Sequence, residues 1–575
     1  MGSRRLRTAL LALLLGCGPA DSPPPAAPAP VAPGPVGPAP AGPAPSAAVV
    51  PGTVDLDRAP PTEEVRTAAA APCAGCDIVV ISVCSLRRDH VGAYGVIDGL
   101  TPTIDRLAAE SVRFDTAYAG SNFTLASLTA LLTGRFGSST GVVGWGKGLG
   151  DGVPTLPEVL GFYGYRTGAF TVDAASGLRP DYGLDRGFQR MRVVPPPRGT
   201  PDGRHGTTGD TAPGASAAPA AAWIGEQPKD RPIFAFFHSR TAHFPFVVSD
   251  EGADDDPTGV VRAFWVEGPG GGGGAGMPGR VGGNQRSGLL GSANDDATRL
   301  TRRAGDAGVA IWRREYAKAV ARMDADVAVI LDAVAARGRA DRTVVVLVAD
   351  HGEALDDNGE LLHGGSYFDA VVHVPLLVRA PGIAPGSSAA LVGHVDVLPT
   401  LLDLVGVQPP ALLDGVSMRP LLERTGEQIR STTLVEGSAT NAFGGDVPGA
   451  VISPPWALLH QSFPCTRDAM PEGNPPLPGE APAPGAPPMP GPGRPGSPPT
   501  LRKCLFNLDA DPGEKTDLAD AHPEQVQALL GRWQGYREAV AGRAVPRELQ
   551  LDPAFVELLQ RTGYDFQNEP KAEPR

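Results

Sequence analysis

The longest uninterrupted apolar signal worth reading closely lies at Val344 to Val348, where five residues pass without a polar position before the chain reaches Asp350-His351-Gly352. A short β-branched run of this kind predicts a strand buried on both faces, because a half-exposed strand would alternate. Asp77 to Val83, DIVVISV, shows the same pattern and predicts the first strand of the globular part. Between and around these runs the period lengthens. Thr103 to Ser111 follows Thr101-Pro102 and predicts a helix. Ser121 to Arg135 predicts a second helix that ends at Thr133-Gly134-Arg135, with Thr124 or Ser121 as its cap. Arg313 to Arg337 predicts a third that leads into the key strand, with Ala319, Met323, Val327, Ile330 and Leu331 on its buried side. Beyond about residue 425, Thr432–Val435, Ala457–His460 and Leu505–Leu508 predict a small antiparallel sheet. Ala521 to Val540 predicts a terminal helix, and residues 565–575 a frayed tail.

The 74 glycines and 62 prolines cluster away from these elements. Residues 18–72 are mostly Pro and Ala, which cannot bury a core and predict an extended tether. Pro195–Ala222, Glu251–Asp306 and Pro471–Pro499 read as loose surface insertions. The glycine run Gly268–Gly274 is no phosphate cradle, since no strand leads in and no GK[ST] follows. A net charge of −13 argues against a nucleic-acid binder. At the start, Arg4, Arg5 and Arg7 precede the short apolar run Leu10–Leu15. Leu14-Leu15-Gly16-Cys17 closes it and resembles the lipobox of bacterial lipoproteins, which implies a signal peptide over 1–17 and a lipid anchor at Cys17. The alternative is an ordinary cleaved signal. No later stretch is long and apolar enough for a membrane-spanning helix. The expected place is the cell envelope, facing the periplasm or the surface, where disulfides persist. Without Cys17 five cysteines remain. Cys465 and Cys504 flank a Pro-rich excursion and could bridge. Cys73 and Cys76 form either a local disulfide or half of a metal site, and Cys84 is the leftover thiol.

Candidate chemistry gathers at the end of the Val344–Val348 run. Ligands of open α/β sheets collect at the carboxyl ends of strands, and Asp350 and His351 stand there, with His363 on the next loop. The plainer reading has Asp350 capping a following helix and His351 as a satisfied loop histidine. Several segments taken together carry a resemblance: ISVCSLRRDHVGAYG, TPTIDRLAAESVRFDTAYA, TLASLTALLTG, VADHGE, DAVVHVPLLVRAPG, HVDVLPTLLDLVG and LFNLDADPGEKTDL. In this order they resemble the sulfatase family of the alkaline phosphatase superfamily, across roughly residues 77–535. The resemblance implies an alkaline-phosphatase-like α/β/α sandwich, with a mostly parallel central sheet and a smaller C-terminal α+β subdomain. Residues 73–425 would be the catalytic domain, 426–545 the subdomain and 546–575 a tail. It also implies displacement at sulfur or phosphorus beside one divalent cation. By position, Thr124 is the nucleophile and Asp350 and His351 hold the metal. His243 lies near the leaving group, and His363 contacts the charged group or donates a proton.

Three departures shape the expected function. Cys84-Ser85 stands where the family has an acidic metal ligand. A thiol serves Ca²⁺ or Mg²⁺ poorly, whereas Zn²⁺ accepts Cys84, Asp350, His351 and Thr124 together; otherwise the site holds no metal and Cys84 is a buried apolar-like residue. Thr124 stands where sulfatases carry the Cys or Ser that becomes formylglycine, so no formylglycine is expected and phosphate esters are favoured over sulfate esters. Ala126-Ser127-Leu128 replaces Pro-Ser-Arg, removing a cation for which Lys147 is a loosely aligned substitute. The expectation is a metal-dependent hydrolase or transferase of extracytoplasmic small, glycan or lipid esters. The alternative is a degenerate member that binds a ligand or partner without turning it over.

Overall fold

The computed structural model describes residues 71–549, apart from 96, 98, 173–176, 195–211, 245, 247–300, 302–303, 438–446, 468–500 and 544. The expected lipid anchor, nearly all of the tether, the glycine run, the 471–499 excursion and the 565–575 tail lie outside the described residues. Along the chain the strands are β1 (Asp77–Val83), β2 (Val112–Tyr118), the two-residue β3 (Lys147–Gly148), β4 (Arg166–Val172), β5 (Arg190–Val194), β6 (Ile233–Ser239), β7 (Thr343–Ala349), β8 (Leu376–Arg379) and β9 (Gly386–Gly393). They are followed by β10 (Thr433–Glu436), β11 (Gly449–Ser453), β12 (Trp456–Gln461), β13 (Arg502–Asn507) and the short β14 (Arg547–Glu548). The longer helices are α1 (Pro102–Ala109), α2 (Thr124–Thr133), α3 (Leu156–Phe162), α4 (Ala218–Glu226), α5 (Gly305–Ala336), α6 (Val397–Val405) and α7 (Pro523–Val540). No helix among the described residues is long and apolar enough to cross a membrane.

Eight strands form the main sheet in the order β5-β4-β6-β1-β7-β8-β2-β9. All neighbours run parallel except β8, which is antiparallel to both β7 and β2. The unbroken apolar runs follow from this arrangement. Ile78 and Val80 of β1 and Val344, Val346 and Val348 of β7 enter one core, with Leu125, Leu128, Leu131 and Leu132 of α2. The residues between them, Val79, Ile81, Val83, Val345, Leu347 and Ala349, enter the opposite core, with Met323, Val327 and Ile330 of α5. Both faces are therefore apolar, and each fully buried Val or Leu contributes about 1.5–3 kcal/mol of transfer free energy.

The register aligns the carboxyl ends of the three central strands. Ser82 pairs with His238 on one side and Val348 on the other. One step further, the Cys84 amide donates to Ser239 O at 2.8 Å and the Asp350 amide to Val83 O at 3.0 Å. Three loops thus leave the same edge side by side.

The smaller sheet is fully antiparallel, in the order β10-β11-β12-β13. Its strand β11 was not anticipated from sequence: it is a five-residue run hidden behind glycines and a proline. Both expected disulfides form, Cys73–Cys76 and Cys465–Cys504, which removes Cys73 and Cys76 as half of a metal site; Cys84 is free and buried.

Several boundaries move. The expected insertion 195–222 ends inside α4, and the insertion 251–306 ends inside α5, which begins at Gly305 rather than near Arg313. Thr124 is the first residue of α2, not its cap: Phe123 holds that position without a side-chain cap, and Ser121 Oγ donates instead to Gly437 O. The amides of Thr103 and Ile104 near the start of α1 are met by Asp324 of α5, each at 2.9 Å. Within the expected tail, β14 pairs with β3.

Candidate functional site

Asp350 leaves the end of β7 as expected, but no helix follows it for the carboxylate to cap; the chain runs on in turns to residue 368. Its Oδ1 instead accepts the backbone amides of Ser85 at 3.2 Å and His351 at 2.8 Å, tying the β1 and β7 loops together. Its Oδ2 is buried and makes no hydrogen bond among the described residues. His351 turns its Nε2 inward, 3.5 Å from that free oxygen. Thr124 Oγ1 sits 3.3 Å from His351 Nε2 and 3.4 Å from Cys84 Sγ, and Cys84 Sγ is 3.9 Å from His351 Nε2. The four residues that the sequence placed at 84, 124, 350 and 351 therefore converge.

What fixes Thr124 is one turn further along its helix. Ser127 Oγ donates to the Asp350 carbonyl at 2.5 Å and lies 3.0 Å from His394 Nδ1. With its only proton committed to the carbonyl, Ser127 accepts from His394. The helix start thus carries Thr124 on a peg driven into the end of β7, and the first-turn amides of α2 favour an anion there.

The two remaining sequence candidates, meeting edge to face, lie beside this centre. His243 and His363 rings lie 4.9 Å apart, and His363 lies 4.2 Å from His351. Arg240 Nη2 approaches both ring nitrogens of His243, at 2.9 and 3.0 Å. The turn that carries Arg240 and His243 is held from α5: Asp326 accepts from Ser239 Oγ at 3.0 Å and Thr241 Oγ1 at 2.8 Å. Lys147, considered from sequence as the replacement for the lost arginine, is instead ion-paired with Glu548. The guanidinium beside the histidines is that of Arg240, which sequence reading overlooked because nothing in the local pattern of FHSRTAH marks it.

Burial dominates the electrostatics. It pushes the Cys84 thiol well above its ordinary range, with the Asp350 charge adding to the effect. It lowers His351 to about 4 and His363 to about 3. His243 falls well below its usual value through burial and the neighbouring Arg240. Burial also acts on Asp350, upward, but His351 and His238 outweigh it and the carboxyl ends below its ordinary range. Glu353, buried without full solvation, rises to about 8 and lies 3.0 Å from His363 Nδ1. His363 is thus one half of a carboxyl–imidazole pair, a partner the sequence did not reveal.

A divalent cation, implied by the family resemblance, can be tested against these side chains. Asp350 Oδ2 accepts no hydrogen bond and has imidazole nitrogens of His351 and His238 standing off at 3.5 and 3.9 Å, a buried carboxylate oxygen that a cation between them would satisfy. The donors around it are one thiol, imidazole nitrogens and one carboxylate. That mixture fits a zinc-type ion and fits Ca²⁺ or Mg²⁺ poorly, as both want a shell of oxygens. His238, near the end of β6, also reaches this centre: ligand atoms of Cys84, His238 and Asp350 all lie within 4.8 Å of one another. Sequence reading missed it because His238 sits in the apolar strand IFAFFHS, where it looks like part of the core.

A family model described as Sulfatase matches residues 77–407. The choline-sulfatase of Rhizobium meliloti (strain 1021) is 34% identical over 268 residues, covering 45% of this chain and 44% of that protein. Bovine arylsulfatase A is 26% identical over 535 residues, 80% of this chain and 87% of that one. The chain thus spans less than half the length of the first curated relatives it matches, at 44% and 35%. Among solved structures, a putative sulfatase from Bacteroides thetaiotaomicron VPI-5482 aligns with a TM-score of 0.58 at 19% identity, covering 86% of this chain and 98% of that one. The phosphonate monoester hydrolase of Agrobacterium radiobacter aligns with a TM-score of 0.55 at 19% identity, covering 83% and 98%. At such identities the likeness is one of fold.

Proposed function

This chain belongs to the sulfatase family, and from that premise we propose that it is a metal-dependent ester hydrolase or transferase with Thr124 as its nucleophile, acting on phosphate esters in preference to sulfate esters. The observation that carries the reading is the approach of Thr124 Oγ1 to His351 Nε2, 3.3 Å, beside the free Asp350 oxygen. Relatives named as sulfatases and a fold neighbour named as a phosphonate monoester hydrolase support ester cleavage at sulfur or phosphorus.

Cys84, Asp350 and His351 would hold the cation beside the Thr124 hydroxyl. A bound divalent cation makes a nearby hydroxyl easier to deprotonate and neutralises charge on ester oxygens. Thr124 Oγ1 loses its proton to water and bonds to phosphorus as the bond to the leaving oxygen breaks. The leaving alkoxide takes a proton from the Glu353–His363 pair. Arg240, with His243, holds the ester anion and stands in for the cation that Leu128 does not supply. Water or an acceptor alcohol then attacks phosphorus and frees Thr124. Threonine cannot yield the formylglycine aldehyde, so the gem-diol route to sulfate release is closed. The proposed site of action is the cell envelope, with Cys17 as the lipid anchor.

Cys84 and Leu128, both departures at the cation and the anion, favour one second reading: a member that binds an ester or a partner without turnover. The discriminating experiment loads purified protein with zinc and offers an aryl phosphate, a phosphonate monoester and an aryl sulfate. Turnover of the phosphorus esters, abolished in Thr124→Ala, supports the enzyme, and the peptide containing Thr124 should carry no aldehyde by mass spectrometry. No turnover of any ester by metal-loaded protein leaves the binding reading.

A further inference from the structure

The structure carries one assignment beyond this reading, and it rests on the metal-dependent part of it. His238 is fully buried, and register sets it between Ser82 of β1 and Thr171 of β4. Its Nδ1 lies 3.0 Å from Ser82 Oγ. Its Nε2 has no hydrogen-bond partner and stands 3.9 Å from Asp350 Oδ2, which has none either. That distance is too long for a hydrogen bond. Two buried polar atoms thus face each other across a gap, each stripped of water. A histidine that only filled space in the core would direct its ring nitrogens to partners, because an unsatisfied buried group costs about 1–3 kcal/mol.

We propose that His238 Nε2 is a metal ligand, and that Cys84, His238, Asp350 and His351 together hold one thiophilic divalent cation of the zinc type. The spacing supports it. Donors of a tetrahedral ion bonded at about 2.0–2.3 Å stand roughly 3.3–3.8 Å apart. Here ligand atoms of Cys84, His238 and Asp350 all lie within 4.8 Å of one another, with Asp350 Oδ2 3.9 Å from His238 Nε2; His351 stands outside that mutual group and approaches it through Asp350 Oδ2 at 3.5 Å and Cys84 Sγ at 3.9 Å. The chemistry supports it as well. A thiolate and a carboxylate supply two negative charges, so a dication leaves a fully buried centre neutral. Sulfur and imidazole donors select zinc over calcium or magnesium. Ser82 completes the arrangement: its hydroxyl, 3.0 Å from Nδ1, can accept the Nδ1–H, the tautomer in which Nε2 keeps the lone pair a metal needs. His238 thereby offsets the carboxylate that Cys84 displaced, turning a site for hard ions into one for softer ions.

The test is cobalt substitution of the purified chain, read by absorption spectroscopy and metal stoichiometry, with ester turnover measured separately. One equivalent of Co²⁺ with a thiolate-to-cobalt charge-transfer band is expected. His238→Ala should weaken zinc binding at least about 100-fold and shift the visible cobalt bands. Cys84→Ser should remove the charge-transfer band. Circular dichroism checks the fold, and His238→Gln, which keeps bulk and a donor toward Ser82, carries the test if the alanine variant does not fold. Wild-type affinity and an unchanged cobalt spectrum in both His238 variants would overturn the assignment, as would failure of the wild-type chain to bind zinc or cobalt. Tight metal binding through His238 without turnover of any ester supports the site and overturns the catalytic reading instead.

Discussion

Replacing Ser127 with alanine should loosen the site without touching any group that meets substrate. The hydroxyl is fully buried, donates to the Asp350 carbonyl and accepts from His394. Its removal deprives the Asp350 carbonyl of this donor and the His394 imidazole of this acceptor, both buried. At about 1–3 kcal/mol each, the protein should lose roughly 2–6 kcal/mol of stability, measurable by urea denaturation. The same change frees the first turn of α2, and with it Thr124, from the end of β7. A shift of about 1 Å in a nucleophile costs on the order of 10²-fold in rate. The loss should fall on kcat with an aryl phosphate. KM should stay within about twofold, because Arg240 and His243 reach the anion from the turn after β6, which Asp326 holds independently. If Ser127→Ala unfolds within about 0.5 kcal/mol of the parent, a typical neutral change, and keeps its kcat, these hydrogen bonds do not locate Thr124 and the positioning argument fails.

In the metal-free protein, stability should peak near the ordinary histidine pKa of about 6.5. His238, His351 and His394 are lowered to about 4 and His363 to about 3, all by burial, so unfolding takes up protons and stability falls as pH drops from the ordinary histidine range toward those values. Glu353 and Glu360 are raised to about 8 and about 7, again by burial, so stability falls as pH rises through those values. Each net proton contributes about 1.4 kcal/mol per pH unit; chemical denaturation in chelator showing a steady rise up to pH of about 8 would contradict the assignment. Arg240→Ala should weaken inhibition by inorganic phosphate about 10–100-fold, the worth of a charge-assisted hydrogen bond, and an unchanged inhibition constant would remove Arg240 from the anion site. Breaking Cys465–Cys504, which spans a sequence separation of 39, should cost up to about 4 kcal/mol in calorimetry while leaving ester turnover nearly intact; an unaltered melting temperature would show that the bridge constrains little.

The parts of this molecule that could be read before seeing it are those whose signal is local. β1 and β7 match their apolar runs because burial on both faces leaves no alternation to misread. Cys84, Thr124, Asp350 and His351 meet as expected because family order already placed them at strand ends and a helix start. What stayed illegible depends on pairing across long separations. His238 becomes a partner of Asp350 only through the register of β6 with β1, and the two residues are 112 positions apart in sequence. Glu353 lies two residues past His351 in an irregular turn, where no periodicity signals that it will reach His363. The start of α1 is met by Asp324 on another helix, so the local cap rule had nothing to find. Lys147 was misjudged for the same reason: its partner Glu548 lies 401 residues away.

That last pairing bears on how the protein is made. β14 lies along β3, and the glycines of the segment GVVGWGKGLG leave room for it: a Cβ on Gly141 would meet Pro546 at 2.6 Å, and one on Gly150 would meet Val545 O at 2.2 Å. A stretch just downstream of α2 is thus zipped shut by residues translated about 400 positions later. During synthesis it waits, glycine-rich and without its hydrogen-bonding mate, until Arg547 and Glu548 have been made. A nascent chain stalled before Arg547 should be nicked by proteases between 141 and 150, whereas a chain that includes β14 resists.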